Sequence, residues 1–288
     1  MRVKVHRLKE MSLLHITVSN KPHPGLDALR LSALRFNVQT RVLGMGSKTA
    51  IGHGGYGFGL KLELLHQELK LLPMDTIVLF TDAFDVLIQD SLDTIREWAI
   101  EHPTKVLFAA EKAKWPVKDL LYPKPLHFPY PYLNSGVFAG RVEAMLSLFQ
   151  VPYTNLTDDQ EYYTRHFLSG NTIVLDHKAQ YFQCLSLVAA NTIEFLPNGI
   201  LVNHDNGLET WKTRPPILHL NNGMTRIKHF SKCIHCVLGP SYKYLSRQLM
   251  VSMILDFSWY NASTLGYILA SLVLLACLYF YAHSKPKK

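Results

Sequence analysis

Charge is scarce in this 288-residue chain: Asp, Glu, Lys and Arg make up 18% of it, against 48% hydrophobic residues. That balance excludes intrinsic disorder, which needs low hydrophobicity and high net charge. Cysteine is scarcer still. Cys184, Cys233, Cys236 and Cys277 are too few for a disulfide framework in a chain of this length. Cys233 and Cys236 form one CxxC with His229 as a further donor and no evident fourth. A structural zinc site takes four ligands, so reduced thiols or a local disulfide are expected instead. Internal repeats and low-complexity tracts are absent. The formal charge of +8 is modest, and Lys285, Lys287 and Lys288 supply part of it. Such an excess suits nucleotide phosphates or a membrane surface and does not single out nucleic acid.

The N-terminus is charged at Arg2, Lys4, Arg7, Lys9 and Glu10, with no apolar stretch of leader length before the first strand, so no secretory signal is read there. The other end differs. From Phe257 to Ser284 there is no Asp, Glu, Lys or Arg, and Leu265–Ala282 is almost unbroken apolar and aromatic sequence. As a helix it can cross a hydrocarbon core of about 30 Å. Trp259, Tyr279 and Tyr281 sit where amphipathic rings prefer the interface. The predicted organisation is a globular domain over 1–238, an amphipathic connector over 239–260, a transmembrane anchor over 261–283 and a basic tail over 284–288. The simplest topology is a single-pass C-terminal anchor with the globular domain in the cytosol. Lys243 and Arg247 nearly balance the lysines beyond the span, so a lumenal orientation stays open. Asn155-Leu-Thr157 and Asn261-Ala-Ser263 match the glycosylation acceptor pattern.

Between these ends, strand-like and helix-like segments alternate. His15–Asn20, Thr40–Gly44, Thr76–Asp82, Lys105–Glu111, Thr172–Lys178 and Pro215–Asn221 read as strands. Leu26–Phe36, Leu60–Leu72 and Ser91–His102 read as helices. Strands apolar on both faces, alternating with helices, predict an α/β fold with a mixed, mostly parallel sheet flanked by helices.

Asp82 and Asp85 close an apolar strand in FTDAFD. Ligands of open α/β sheets bind beyond the carboxyl ends of strands, and two hard oxygens on one turn can hold a divalent cation. Turn and cap chemistry is the competing reading. The glycine run from Gly52 to Gly59, followed by Lys61, offers backbone amides and a cation to an anion at a helix start. Gly52, Gly54 and Gly57 formally satisfy GxGxxG, but no clean strand leads into them; a flexible loop is the plainer reading. Asp158 and Asp159 open an aromatic helix, as capping acids do, or as carboxylates facing an acceptor. His219 ends the last strand before Asn221 and Gly223, with Arg226 and Lys228 within reach of an anion.

In order, HITVSN, the glycine cluster with Lys61, FTDAFDV, FAAEKAKWP, YLNSGVFAG, DDQEYYTR, LDHKAQYFQ and HLNNG resemble the glycosyltransferase domain of the procollagen lysyl hydroxylases, from about His15 to Arg226. The resemblance implies a GT-A-like, Rossmann-related domain that uses a UDP-sugar and Mn2+ to move glucose or galactose to an acceptor hydroxyl, with a protein or glycan as acceptor. It implies Asp82, Asp85 and His219 as metal ligands. It implies Phe84 against the uracil, Val18 and Ser19 in the nucleoside pocket, Gly59 and Lys61 at the phosphates, and Asn221, Gly223 and Arg226 at the diphosphate turn. Trp115, Asn134, Asp158 and Asp159 would line the sugar and acceptor side. The family's longer aspartate run is reduced here to Asp158 and Asp159, and the sequence after Arg226 reads as connector and anchor. Two other functions compete: a nicotinamide-dependent oxidoreductase built on Gly52, Gly54 and Gly57, and a non-catalytic, membrane-tethered nucleotide-sugar or glycan-binding protein.

Overall fold

A computed structural model describes residues 12–47, 58–116, 122, 128–221, 223–242, 244–248 and 251–252. Its main sheet has six strands: β1 (Leu13–Val18), β2 (Thr40–Leu43), β3 (Ile77–Thr81), β5 (Val106–Glu111), β6 (Tyr132–Arg141) and β7 (Ile173–Leu175), in the order β2-β1-β3-β6-β5-β7. β1–β2, β1–β3 and β5–β7 pair parallel, while β6 runs antiparallel between β3 and β5. The sheet is therefore mixed, and parallel pairing prevails only narrowly. β3 and β5 are buried at every position. Val78 and Phe80 of β3 enter one core with Ile16, Leu65 and Phe138, while Ile77 and Leu79 enter the other with Leu29, Ile95 and Val137. This is the period-2 alternation of a strand covered on both faces. Each such side chain contributes about 1.5–3 kcal/mol by burial.

The helices supply those covers: α1 (Pro24–Leu34), α2 (Phe58–Leu69), α3 (Asp93–Glu101), the short α4 (Val142–Leu146), α5 (Asp159–Ser169) and α6 (Gly223–Leu238). α1 starts as its sequence dictates, with proline in its first turn and the His23 ring accepting from the Gly25 amide. α6 ends before Gly239, whose φ of 95° suits a residue without a Cβ.

Two smaller sheets complete the chain. β9 (Ile193–Leu196), β10 (Gly199–Asp205) and β11 (Thr210–Thr213) form an antiparallel meander. β4 (Val86–Ile88), β12 (Ile217–His219) and β8 (Phe182–Cys184) form the order β4-β12-β8, with His219 in register with Val86 and Cys184. That register carries the histidine to the turn after β3.

Among the described residues, no helix is long and apolar enough to cross a membrane. The predicted span and tail over 261–288, Cys277, Asn261 and the glycines Gly52, Gly54 and Gly57 lie outside the described residues. Gly239–Tyr260 was expected to form the connecting helix. Of that segment, Pro240–Tyr242 is a short 3-10 turn and residues 244–248 and 251–252 are helical; α6 precedes it.

Candidate metal centre

Asp82 follows the last residue of β3, and Asp85 precedes the first residue of β4. The turn between them is held at both ends: the Asp82 amide donates to the Gly136 carbonyl at 2.7 Å, and the Leu220 amide donates to the Asp85 carbonyl at 2.8 Å. Asp82, Asp85 and His219 each offer a ligand atom within 4.8 Å of the others. His219 Nε2 lies 3.4 Å from Asp85 Oδ2 and 3.7 Å from Asp82 Oδ2. Asp85 and His219 are buried, whereas Asp82 is half-buried, so the cluster opens on the Asp82 side.

The hydrogen bonds fix the histidine tautomer. The Gly136 amide donates to Asn134 Oδ1 at 3.0 Å, which identifies that amide atom as the oxygen. Because an oxygen only accepts, His219 Nδ1, 2.9 Å from it, carries the proton. Nε2 faces two carboxylates, and in the neutral ring it can offer its lone pair to a cation between them. Two carboxylates and a neutral imidazole converging in a largely buried place could hold a cation between them. Oxygen and imidazole donors together suit a divalent metal of intermediate hardness. Gly136 supplies the room: a Cβ there would fall 2.2 Å from His219 Cε1 and 2.8 Å from Asp82 Oδ2.

Glu111, at the end of β5, organises the layer behind. It accepts from Asn134 Nδ2 at 3.0 Å, Gln160 Nε2 at 2.8 Å and Asn221 Nδ2 at 2.7 Å. The orientation of Asn221 is set by the Ser186 amide, which donates to its Oδ1 at 3.1 Å. Burial pushes the Glu111 carboxyl up, and these amide donors offset only part of that rise.

Lys61 is buried between two acids, its Nζ 2.9 Å from Asp82 Oδ1 and 2.7 Å from Asp159 Oδ2. Burial works against its charge, but Asp159 and Asp82 outweigh it and hold the ammonium well above the ordinary lysine range. Asp159 also accepts from Ser135 Oγ at 3.1 Å. The two neighbouring acids thus have different places. Asp159 is linked to Asp82 through Lys61, whereas Asp158 caps α5, accepting from the Glu161 amide at 2.9 Å.

The remaining expected residues scatter around this centre. Val18 is buried at the end of β1, and Ser19 donates its hydroxyl to the Lys21 carbonyl at 2.7 Å. Phe84 is half-buried on the Asp82–Asp85 turn, its ring centroid 4.1 Å from that of His23. Trp115 is exposed and tied to the Glu111 network through its carbonyl, which accepts from Gln160 Nε2 at 3.1 Å. Gly59 lies inside α2, where a Cβ would fall 1.9 Å from the Thr154 carbonyl oxygen, so close packing requires glycine there. Gly223 opens α6, with Arg226 in its first turn. Glu111, Ser135, Gly136 and Gln160 were not singled out from the sequence. Glu111 carried a readable signal, because like Asp82 it closes a fully buried strand.

Fold and cluster together define a mixed α/β domain with a candidate carboxylate–imidazole cation site at its strand ends. A family model described as "PLOD GT domain" matches residues 9–233, and the chain belongs to that family. It is 34% identical over 227 residues to procollagen-lysine,2-oxoglutarate 5-dioxygenase of Drosophila melanogaster, covering 73% of this chain and 30% of that one. It is 31% identical to procollagen-lysine,2-oxoglutarate 5-dioxygenase 2 of Mus musculus, covering 77% of this chain and 31% of that one. With the multifunctional procollagen lysine hydroxylase and glycosyltransferase of Caenorhabditis elegans it shares 30% identity, over 73% of this chain and 30% of the relative. The chain thus spans about 30% of the length of these relatives. A solved glycosyltransferase involved in glycosylation of the major capsid of PBCV-1 is only loosely alike, at 10% identity and a TM-score of 0.44, over 73% of this chain and 93% of that one.

Proposed function

We propose that this chain is a metal-dependent hexosyltransferase that moves glucose or galactose from a UDP-sugar to an acceptor hydroxyl, on hydroxylysine or on a glycan. The observation that carries the reading is the convergence of Asp82, Asp85 and His219 in a chain of the PLOD GT family. In the reaction the bond from the sugar's anomeric carbon to the UDP oxygen breaks, a bond to the acceptor oxygen forms, and the acceptor's proton is released. When bound, Mn2+ supplies positive charge against the diphosphate as it leaves. Asp82, Asp85 and His219 would hold the cation, and Asn134 keeps the Nε2 lone pair of His219 turned inward. Lys61 balances the charge of Asp82 and Asp159. The half-buried Phe84 ring would bear the base, and the exposed Trp115 would face the sugar or acceptor. The family match supports a transferase over a nicotinamide enzyme. The uncharged C-terminal segment would anchor the chain in a membrane with the globular domain on the cytosolic side.

Asp82→Ala and Asp85→Ala should each abolish Mn2+-dependent release of UDP from a UDP-sugar, an expected loss of at least 10²-fold, in the range found for electrostatic groups of a transition-state site. Unchanged turnover in a folded double variant would remove the metal assignment.

A further inference from the structure

His23 is engaged on both ring nitrogens and on one face. Its Nδ1 accepts from the Gly25 amide at 2.9 Å. The proton is therefore on Nε2, which donates to Ser252 Oγ at 2.8 Å. The ring lies against Phe84, with centroids 4.1 Å apart and planes 35° from parallel. His23 is buried and Phe84 half-buried. The backbones behind them also meet: a Cβ on Gly25 would fall 2.1 Å from the Phe84 carbonyl oxygen. Ser252 lies beyond residues 9–233, the part matched by the family. The segment after α6 thus returns to the turn that carries Asp82, Phe84 and Asp85.

We propose that His23 and Ser252 are a positioning pair for the nucleoside of the donor: Ser252 fixes the His23 ring, and His23 backs the Phe84 ring on which the base stacks. This rests on the reading that Phe84 bears the base. The pair stiffens an aromatic platform before ligand arrives, so less ordering cost falls on binding. The residues after the family domain thereby help set donor affinity.

A simple capping role for His23 predicts something different, since a cap depends neither on Ser252 nor on an aromatic ring. The experiment uses the full chain in detergent with Mn2+, titrated calorimetrically with UDP and, separately, with inorganic pyrophosphate. Ser252→Ala removes only the acceptor for Nε2–H, and His23→Asn keeps a capping side chain while removing the ring. Each should weaken UDP binding by about 3- to 10-fold, the range of one aromatic contact. Pyrophosphate affinity should stay unchanged, and for UDP the double variant should be no weaker than His23→Asn alone. Equal losses for UDP and pyrophosphate would reveal a general structural effect and overturn the proposal. So would unchanged UDP affinity in both variants while Phe84→Ala weakens it, an outcome that leaves the donor reading intact. If Phe84→Ala leaves UDP affinity unchanged, or the wild-type chain binds no UDP, the donor reading itself fails and takes the pair with it.

Discussion

Glu111 acts behind the three candidate ligands: together with the Gly136 amide it orients Asn134, on which the imidazole's proton position depends. A carboxylate accepting from Asn134 Nδ2 holds Asn134 Oδ1 toward His219 Nδ1. A glutamine there could donate as well as accept, so one of the two contacts that orient the Asn134 amide would lose its bias and only the Gly136 amide would still hold it. Glu111→Gln should weaken Mn2+ binding by about 10-fold, as losses behind metal ligands do, as read by Mn2+ electron paramagnetic resonance. Long-range 1H–15N correlation should then show a mixed His219 tautomer in the metal-free chain; a pure Nδ1–H form would contradict the relay. His15 poses a separate question of stability. It is fully buried between Thr40 Oγ1 at 3.0 Å and Thr81 Oγ1 at 2.9 Å, and burial pushes its pKa down to about 3. Its folded value lies below the unfolded value of about 6.5. Only the unfolded chain takes up this proton between those values, so stability is full above about pH 6.5 and falls as pH drops toward 3. His15→Gln, which keeps a polar side chain without that proton, should lose about 2 kcal/mol less than wild type between pH 7 and pH 5 in urea denaturation. Equal losses would show that other groups set the slope.

At the scale of elements, the start of α5 separates two roles that the sequence left together. Asp158 caps the helix, and Asp159 reaches Lys61 and Ser135. Asp158→Asn should leave stability within about 0.5 kcal/mol, since both are good caps, and should preserve Mn2+-dependent turnover. Asp159→Asn should leave Lys61 with one fewer counter-charge and reduce turnover. A larger loss of turnover in the Asp158 variant would reverse the assignment. The main strands were legible because TIVLFTD and KVLFAAE are continuous apolar runs bounded by turns. β4 and β12 were harder, at three residues each: β4 was not read as a strand, and β12 was read within the longer Pro215–Asn221. β6 went unread as a strand because Asn134, Ser135 and Gly136 break its apolar run, and those are the residues that shape the cluster.

At the scale of the whole molecule, the centre depends on distant segments brought into register. β3 delivers Asp82, the β4–β12 pairing delivers His219, β5 delivers Glu111, and β6 delivers Asn134 and Gly136. Residue types and spacing identified the acids and the histidine as candidates, and the resemblance to the family joined them into one set. The layer behind them was not legible, because amide orientation and the space left by Gly136 exist only after the sheets have paired. Lys61 was expected at the phosphates, and its pairing with Asp82 and Asp159 was equally illegible before the chain folded.

The central claim is that Asp82, Asp85 and His219 hold a divalent cation. It is tested most directly by anomalous diffraction at the manganese edge from crystals grown with Mn2+ and UDP. One peak within coordination distance of Asp82, Asp85 and His219 Nε2, lost in Asp85→Ala crystals, is the predicted result. A peak held by other residues, or no peak there at saturating Mn2+, would contradict the account.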